Sequence, residues 1–219
     1  MGVTLDNLLT LANNNLQDNS TNLPTADRQE LCRKALRIYS RRRPFLYLQA
    51  YIATTSSFYD LPTHWDDEFS NIEEIEYPIE QTPPSLIDGQ YFNIELMSGG
   101  KQIRFHANRP SNNEIFWVRY TGLYFFNSDN ESQAPEADDK GLAYLAAALM
   151  CQALAAFYSS RANPNYGNVD VMNYDDRAGS YSTRAKEFMK LYDKEIPETT
   201  GVHGNVPFIS NSYWDRTNA

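Results

Sequence analysis

The sequence is poor in the residues that chemistry most often uses. Among 219 residues there are two cysteines and three histidines. Neither Cys32 nor Cys151 has a neighbouring histidine, and a thiol without an adjacent base is a weak nucleophile. Both sit in apolar helical patterns, where a free cysteine behaves as a small buried hydrophobe. No G-x-S-x-G elbow occurs, which removes the commonest hydrolase turn. "SGGK" at Ser98 to Lys101 lacks the first glycine of a phosphate loop and precedes a strand pattern, not a helix. "HWDDE" offers His64, Asp66, Asp67 and Glu68, but adjacent side chains point apart and no second cluster has matching spacing, so a solvated turn is the simpler reading. Glu73 and Glu74 form a carboxylate pair in which nothing sets one apart as a general acid. The expectation is a protein that is not an enzyme, with no catalytic residue, no metal and no cofactor.

Positive charge is also scarce. Nineteen Lys and Arg stand against 28 Asp and Glu, a net charge of −9. Neutralisation of phosphates by cations dominates affinity for nucleic acid, so the charge argues against a protein whose main task is to grip DNA. A wall past which DNA slides is not, because such a wall should repel. The opening "MGVTLDNLL" has neither a charged n-region nor an apolar h-region, which predicts an intracellular chain with reduced thiols. One long apolar run exists: from Gly141 to Tyr158 only Gln152 is strongly polar. Eighteen residues reach the lower limit of a membrane span. Seven of them are alanine, and a helix small and apolar on every side is usually buried in protein. No membrane is expected.

The remaining composition is that of a globular chain, 42% hydrophobic and 21% charged, long enough to bury a core. Fifteen tyrosines suit either an ordinary tyrosine-rich core or surfaces that become buried in a complex. Leu5, Leu8, Leu9, Ala12 and Leu16 recur at helical spacing with Thr4 as a cap. A second helix from Ala26 presents Leu31, Ala35 and Ile38, with Arg33, Arg37 and Arg41 on another face. Pro44 ends it, so Arg41, Arg42 and Arg43 form its last turn. Cations there complement the helix dipole, but three in succession point several ways around the axis. Local ion pairs, an inter-subunit contact and nucleic acid all remain open for them.

Antiparallel strands follow. "IEEIEYPI" alternates at Ile75, Tyr77 and Ile79, with Pro78 marking an edge. "YFNIEL" and "KQIRFHA" flank the turn signal "MSGG". "IFWVRYTGLYFF" places Phe116, Val118 and Tyr120 on one side. Helix resumes with the alanine-rich run and with an amphipathic segment carrying Ala185, Phe188, Leu191 and Tyr192. Between these two helices, "NPNYGNVDVMNYDDRAG" reads as a loop. After Ile196 there is no period, yet Phe208, Ile209, Tyr213 and Trp214 punctuate a Pro-, Gly- and Asn-rich stretch. Such anchors suggest either an arm that orders against a partner or one folded back on its own chain.

The expected fold is α+β but mainly α: a helical bundle with a small inserted antiparallel β domain of about four strands and an extended C-terminal arm. Its parts are helices in 1–57, the β insertion at 58–130, completing helices at 131–196 and the arm at 197–219.

The order "ALRIYSRRRP", "YDLPTHWDDEFSNIEEIEYPI", "FWVRYTG", "DDKGLAYLAAALMCQALAAFYS" and "RAKEFMKLYDKEI" resembles the head-to-tail adaptor proteins of tailed bacteriophages over roughly residues 25 to 196. That resemblance implies a structural virion protein, made in the host cytoplasm and placed in the neck between head and tail. It would form a homo-oligomeric ring, usually of twelve copies, beneath the portal protein. It would also extend the DNA channel and dock a downstream tail or neck protein. Twelve copies would carry a charge of roughly −108, and double-stranded DNA would pass through the lumen without specific binding. The resemblance makes 197–219 a portal-binding arm with Phe208, Ile209, Tyr213 and Trp214 as anchors. A ring needs head-to-tail contacts between unlike faces, which makes Arg41, Arg42 and Arg43 candidates for contacting a neighbouring subunit or the portal. A tail-completion or stopper protein is the alternative, and a cell-wall hydrolase a more distant one.

Overall fold

A computed structural model describes residues 2–16, 22–160 and 174–197. In chain order they form β1 (Gly2–Thr4), α1 (Leu5–Leu16), α2 (Thr25–Arg42), β2 (Phe45–Ile52), β3 (Phe58–Asp60), β4 (Ile72–Glu76), β5 (Phe92–Met97), β6 (Gly100–Phe105), β7 (Ile115–Gly122), β8 (Glu131–Pro135), α3 (Asp139–Ser159) and α4 (Tyr174–Glu195). Short 3-10 turns precede β5 and α3. The mainly α expectation, a bundle with about four inserted strands, is therefore overturned. Eight strands in three small antiparallel sheets stand beside four helices. The cause is tertiary pairing: β1 and β3 have three residues each, too few for any period, and exist because a distant strand supplies their hydrogen bonds. The end of the expected loop, from Tyr174 to Gly179, belongs to α4, and the rest of it lies outside the described residues.

The chain divides into two compact units, Met1–Phe45 with Leu123–Glu198, and Leu46–Gly122. In the first, the helical unit, α3 packs against α1, α2 and α4. It contributes Leu142, Ala143, Leu145, Ala146, Met150 and Cys151 to one core cluster. Its apolar stretch has the length and mean hydropathy (1.6) of a membrane span, and two thirds of it is buried within the fold. Alanine lets neighbouring helices approach closely, and Gly141 goes further: a Cβ there would lie 2.5 Å from the Ile196 side chain. Helix α1 buries Leu5, Leu8, Ala12 and Leu16, and the Thr4 hydroxyl caps it by accepting the Asn7 N–H at 3.2 Å. Helix α2 buries Cys32, Ala35, Leu36 and Tyr39, a stripe turned slightly from the expected Leu31 and Ile38, which are half-buried. Leu191, expected on the apolar face of α4, is exposed. A two-stranded ribbon of β1 and β8 completes this unit, and the Ser132 hydroxyl donates to the Val3 carbonyl at 2.8 Å.

The second unit, the β unit, holds two three-stranded sheets, in the orders β2-β7-β4 and β3-β6-β5. The β5–β6 hairpin closes on Ser98 and Gly99, with Gly100 at φ +124°, a conformation open chiefly to glycine. Both sheets turn aromatic side chains inward. Phe116 meets Tyr59 edge-on at 5.1 Å and Phe105 at 5.6 Å. Tyr51 stacks on Phe116 at 5.3 Å. Such pairs add roughly 0.5–1.5 kcal/mol beyond area burial.

Candidate functional site

The arginine cluster ends α2, and the fold puts its three members in three different settings. The Arg43 N–H still reaches the Tyr39 carbonyl at 2.9 Å, but its backbone has left the helical region. Its guanidinium turns to Asp138, meeting the two carboxylate oxygens at 2.8 and 3.0 Å. The Tyr39 hydroxyl donates to the same carboxylate at 2.6 Å. Asp138 is buried, so these charge-assisted bonds offset its desolvation. Burial, and then the bond to Asp138, push the Tyr39 phenol far above its ordinary pKa. Next to it the Ser40 hydroxyl accepts the Tyr124 N–H at 2.9 Å and donates to the Leu36 carbonyl at 2.7 Å. The Tyr124 ring lies between Tyr39 and Phe45 at 5.4 and 5.2 Å, and its phenol is also raised by burial.

Arg42 points to the C-terminal end of α4. It donates to the Ile196 carbonyl at 2.7 Å and to Asp193 at 2.9 Å, and its guanidinium lies 4.5 Å from the centroid of the Tyr192 ring. The Tyr192 hydroxyl is buried without a hydrogen-bond partner among the described residues, and burial raises its pKa. An arginine over the ring offsets part of that cost. Arg41 alone is exposed, and it makes no ion pair among the described residues. Thus Arg42 and Arg43 tie α2 to segments about 150 and 95 residues away, inside one subunit, while Arg41 faces outward. The expected arm anchors Phe208, Ile209, Tyr213 and Trp214 lie outside the described residues.

Sequence reasoning missed the partners. Tyr192 stood only as one position of an apolar face, and Asp138 carried no signal of pairing with an arginine. No local pattern relates residue 43 to residue 138.

The other candidates resolve into structure. Trp65 Nε1 donates to Asp67 at 3.1 Å, and Lys101 pairs with the same carboxylate at 3.2 Å. Asp66 accepts the Glu68 N–H at 3.0 Å within its own turn. Glu74 is paired with Arg119 across the β4–β7 ladder at 2.8 Å. No group of three metal-ligating side chains gathers among the described residues. Burial pushes the Cys32 thiol up to about 12, and a thiol so hard to ionise has almost no thiolate with which to react.

Charge is divided unevenly. Leu46–Gly122 carries 11 carboxylates against four cations, a net of −7, whereas Met1–Phe45 with Leu123–Glu198 carries 16 against 14. No family model matches this chain, and no curated protein matches it significantly.

Proposed function

We propose that this chain is a structural virion protein of the head-to-tail adaptor kind. It forms a ring beneath a portal and offers its other side to tail or neck proteins. What supports the reading, beside the order of segments, is the division of charge. The β unit holds −7 of the total of −9. Copies arranged in a ring would gather that charge into one acidic band, and an acidic band lining a channel repels the phosphates of passing DNA. The helical unit, near neutral, carries no such repulsion and suits contact between neighbouring copies. Of the three arginines, Arg41 is the one whose exposure fits a contact with a neighbouring subunit or the portal. Arg42 and Arg43 serve that contact indirectly, by holding the helix end that presents it.

Native mass spectrometry of the full chain, alone and mixed with its cognate portal ring, tests the proposal. The expected result is one copy loaded per portal subunit, with loading lost when residues 197–219 are removed. Absence of binding by the full chain in either state would refute the adaptor assignment and favour a component further down the tail.

A further inference from the structure

Seven large apolar side chains are exposed among the described residues, and four of them share one sheet face. Tyr47 stacks on Tyr120 and Tyr51 on Phe116, so β2 and β7 run antiparallel with those rings on the inner side. The alternate residues Leu48, Ala50 and Ile52 lie on the outer side, with Ala50 opposite Trp117 and Ile52 opposite Ile115. Trp117 also lies opposite Glu76 on β4, and Leu86 bridges to Glu76 from beyond it. Leu48 is 51% exposed, Ile52 66%, Leu86 51% and Ile115 44%. The outer side of the β3-β6-β5 sheet is built differently. There Gln102 donates to Asp60 and Arg104 pairs with Glu95, each at 2.9 Å. One outer face of the β unit is thus finished for water and the other is not, and exposed aliphatic side chains gathered on one face mark a contact surface.

Charge says what covers it. Arg119 on this face is paired with Glu74, but the rim is acidic. Glu114 adjoins Ile115, Glu73 adjoins Glu74, and the Glu80 N–H is held by the Glu76 carboxylate at 3.1 Å. The side chains of Glu73, Glu80 and Glu114 are exposed, and none meets a cation among the described residues. A matching element lies in the helical unit. Along α4, Lys186, Lys190 and Lys194 follow at four-residue intervals on an exposed side, with Leu191, 38% exposed, beside them. Glu187 lies on the same side and leaves a net of +2. Asp193 and Glu195 are engaged by Arg42 and Lys140, whereas the three lysines have no ion pair among the described residues. The lysine row is about 12 Å long, close to the roughly 14 Å across four neighbouring strands. Two copies meeting sheet face to sheet face would bring −7 against −7. A β unit meeting a helical unit brings −7 against −2, so charge favours contact between unlike faces.

We propose that the outer face of the β2-β7-β4 sheet in one copy docks α4 of a second copy. Leu191 lies on the aliphatic patch, and Lys186, Lys190 and Lys194 lie toward Glu73, Glu80 and Glu114. The contact joins unlike faces, so it repeats from copy to copy instead of closing at two. This inference does not rest on the virion reading. Portal loading tests that reading, and a chain that loads onto a portal without this contact refutes the contact alone.

The test is sedimentation velocity of the full 219-residue chain over a concentration series. The expected result is growth beyond a dimer, weakened by added salt. Two variants break one face each: Ile52→Asp on the sheet, and Lys190→Glu with Lys194→Glu on α4. All three positions are exposed, so far-ultraviolet dichroism should match the parent. Each variant alone should be monomeric. Mixed in equal amounts they should form a one-to-one dimer and nothing larger, since one intact face remains on each. A parent chain that stays monomeric at millimolar concentration would overturn the proposal. So would a parent that stops at a dimer, a single variant that still assembles, or a mixture that stays monomeric.

Discussion

In the helical unit α3 packs through small residues: its alanines and Gly141, which sits against Ile196 with no room for a methyl group. In the β unit large rings fill the centre, with Phe116 touching Tyr51, Tyr59 and Phe105. The two cores should therefore fail in opposite directions. One is sensitive to added volume and the other to removed volume. Charge follows the same division. The helical unit sets 14 cations against 16 carboxylates and joins distant segments through Arg42 and Arg43, whereas the β unit retains an acidic surplus.

The largest expected effect is in the aromatic core. Phe116→Ala should cost about 3–5 kcal/mol, read by urea unfolding with near-ultraviolet dichroism for the rings and far-ultraviolet dichroism for the helices. The ring signal should be lost first. Coincident loss of both signals would show one cooperative block and erase the contrast between the units.

Asp138→Ala comes next, at about 3 kcal/mol, because it strands the Arg43 guanidinium and the Tyr39 hydroxyl. A double-mutant cycle with Arg43→Ala should return a coupling of about 1–3 kcal/mol, and additivity would remove Asp138 from its place in the helical unit.

Gly141→Ala should destabilise by about 1–2 kcal/mol through overpacking, although alanine alone would favour a helix by about 1 kcal/mol. In an Ile196→Ala background the same change should become stabilising. A thermal midpoint that rises in the parent chain would show that the small-residue core has slack.

Alkaline pH separates folded from unfolded chain through the tyrosines. Burial raises the phenols of Tyr39, Tyr51, Tyr120, Tyr124 and Tyr192. The folded state then keeps protons that the unfolded state has lost, so stability is complete below the unfolded tyrosine pKa of about 10 and falls as pH rises past it. Tyr39→Phe should flatten that fall, measured by urea midpoints between neutral and strongly alkaline pH. An unchanged slope would mean Tyr39 ionises as freely folded as unfolded.

The smallest effect contrasts two neighbours. Arg41→Glu should alter stability by no more than about 0.5 kcal/mol, whereas Arg42→Glu should cost about 1–2 kcal/mol through loss of its bonds to Asp193 and Ile196. Equal effects would mean the outward and inward arginines do not differ.

Much of the local structure was legible before the fold. Thr4 as a cap, the stop at Pro44, the "MSGG" hairpin and the inward set Phe116, Val118 and Tyr120 each follow from a propensity or a period within a few residues. The short strands were not legible, since three residues of "GVT" or "FYD" carry no period. Nor was the extent of α4: Ala178 and Tyr181 carry its apolar stripe onto the core, but Gly179, Ser180 and the acidic pair before them read as a turn. The arginine cluster was visible as a charge anomaly, but its partners were not, because ion pairing across 95 residues leaves no local trace.

By itself the sequence determined where helices and hairpins start and stop, that α3 must be enclosed, and that the chain as a whole is acidic. These depend on backbone preference, side-chain spacing and composition, all properties of neighbours in the chain. Only the tertiary structure decided that eight strands form, that Arg43 closes on Asp138 while Arg41 stays outside, that the acidic surplus sits in one unit, and that β2 keeps Leu48 and Ile52 uncovered. Each of those depends on which distant segments meet, and the energy of such meetings is set by contacts that do not exist until the chain has folded.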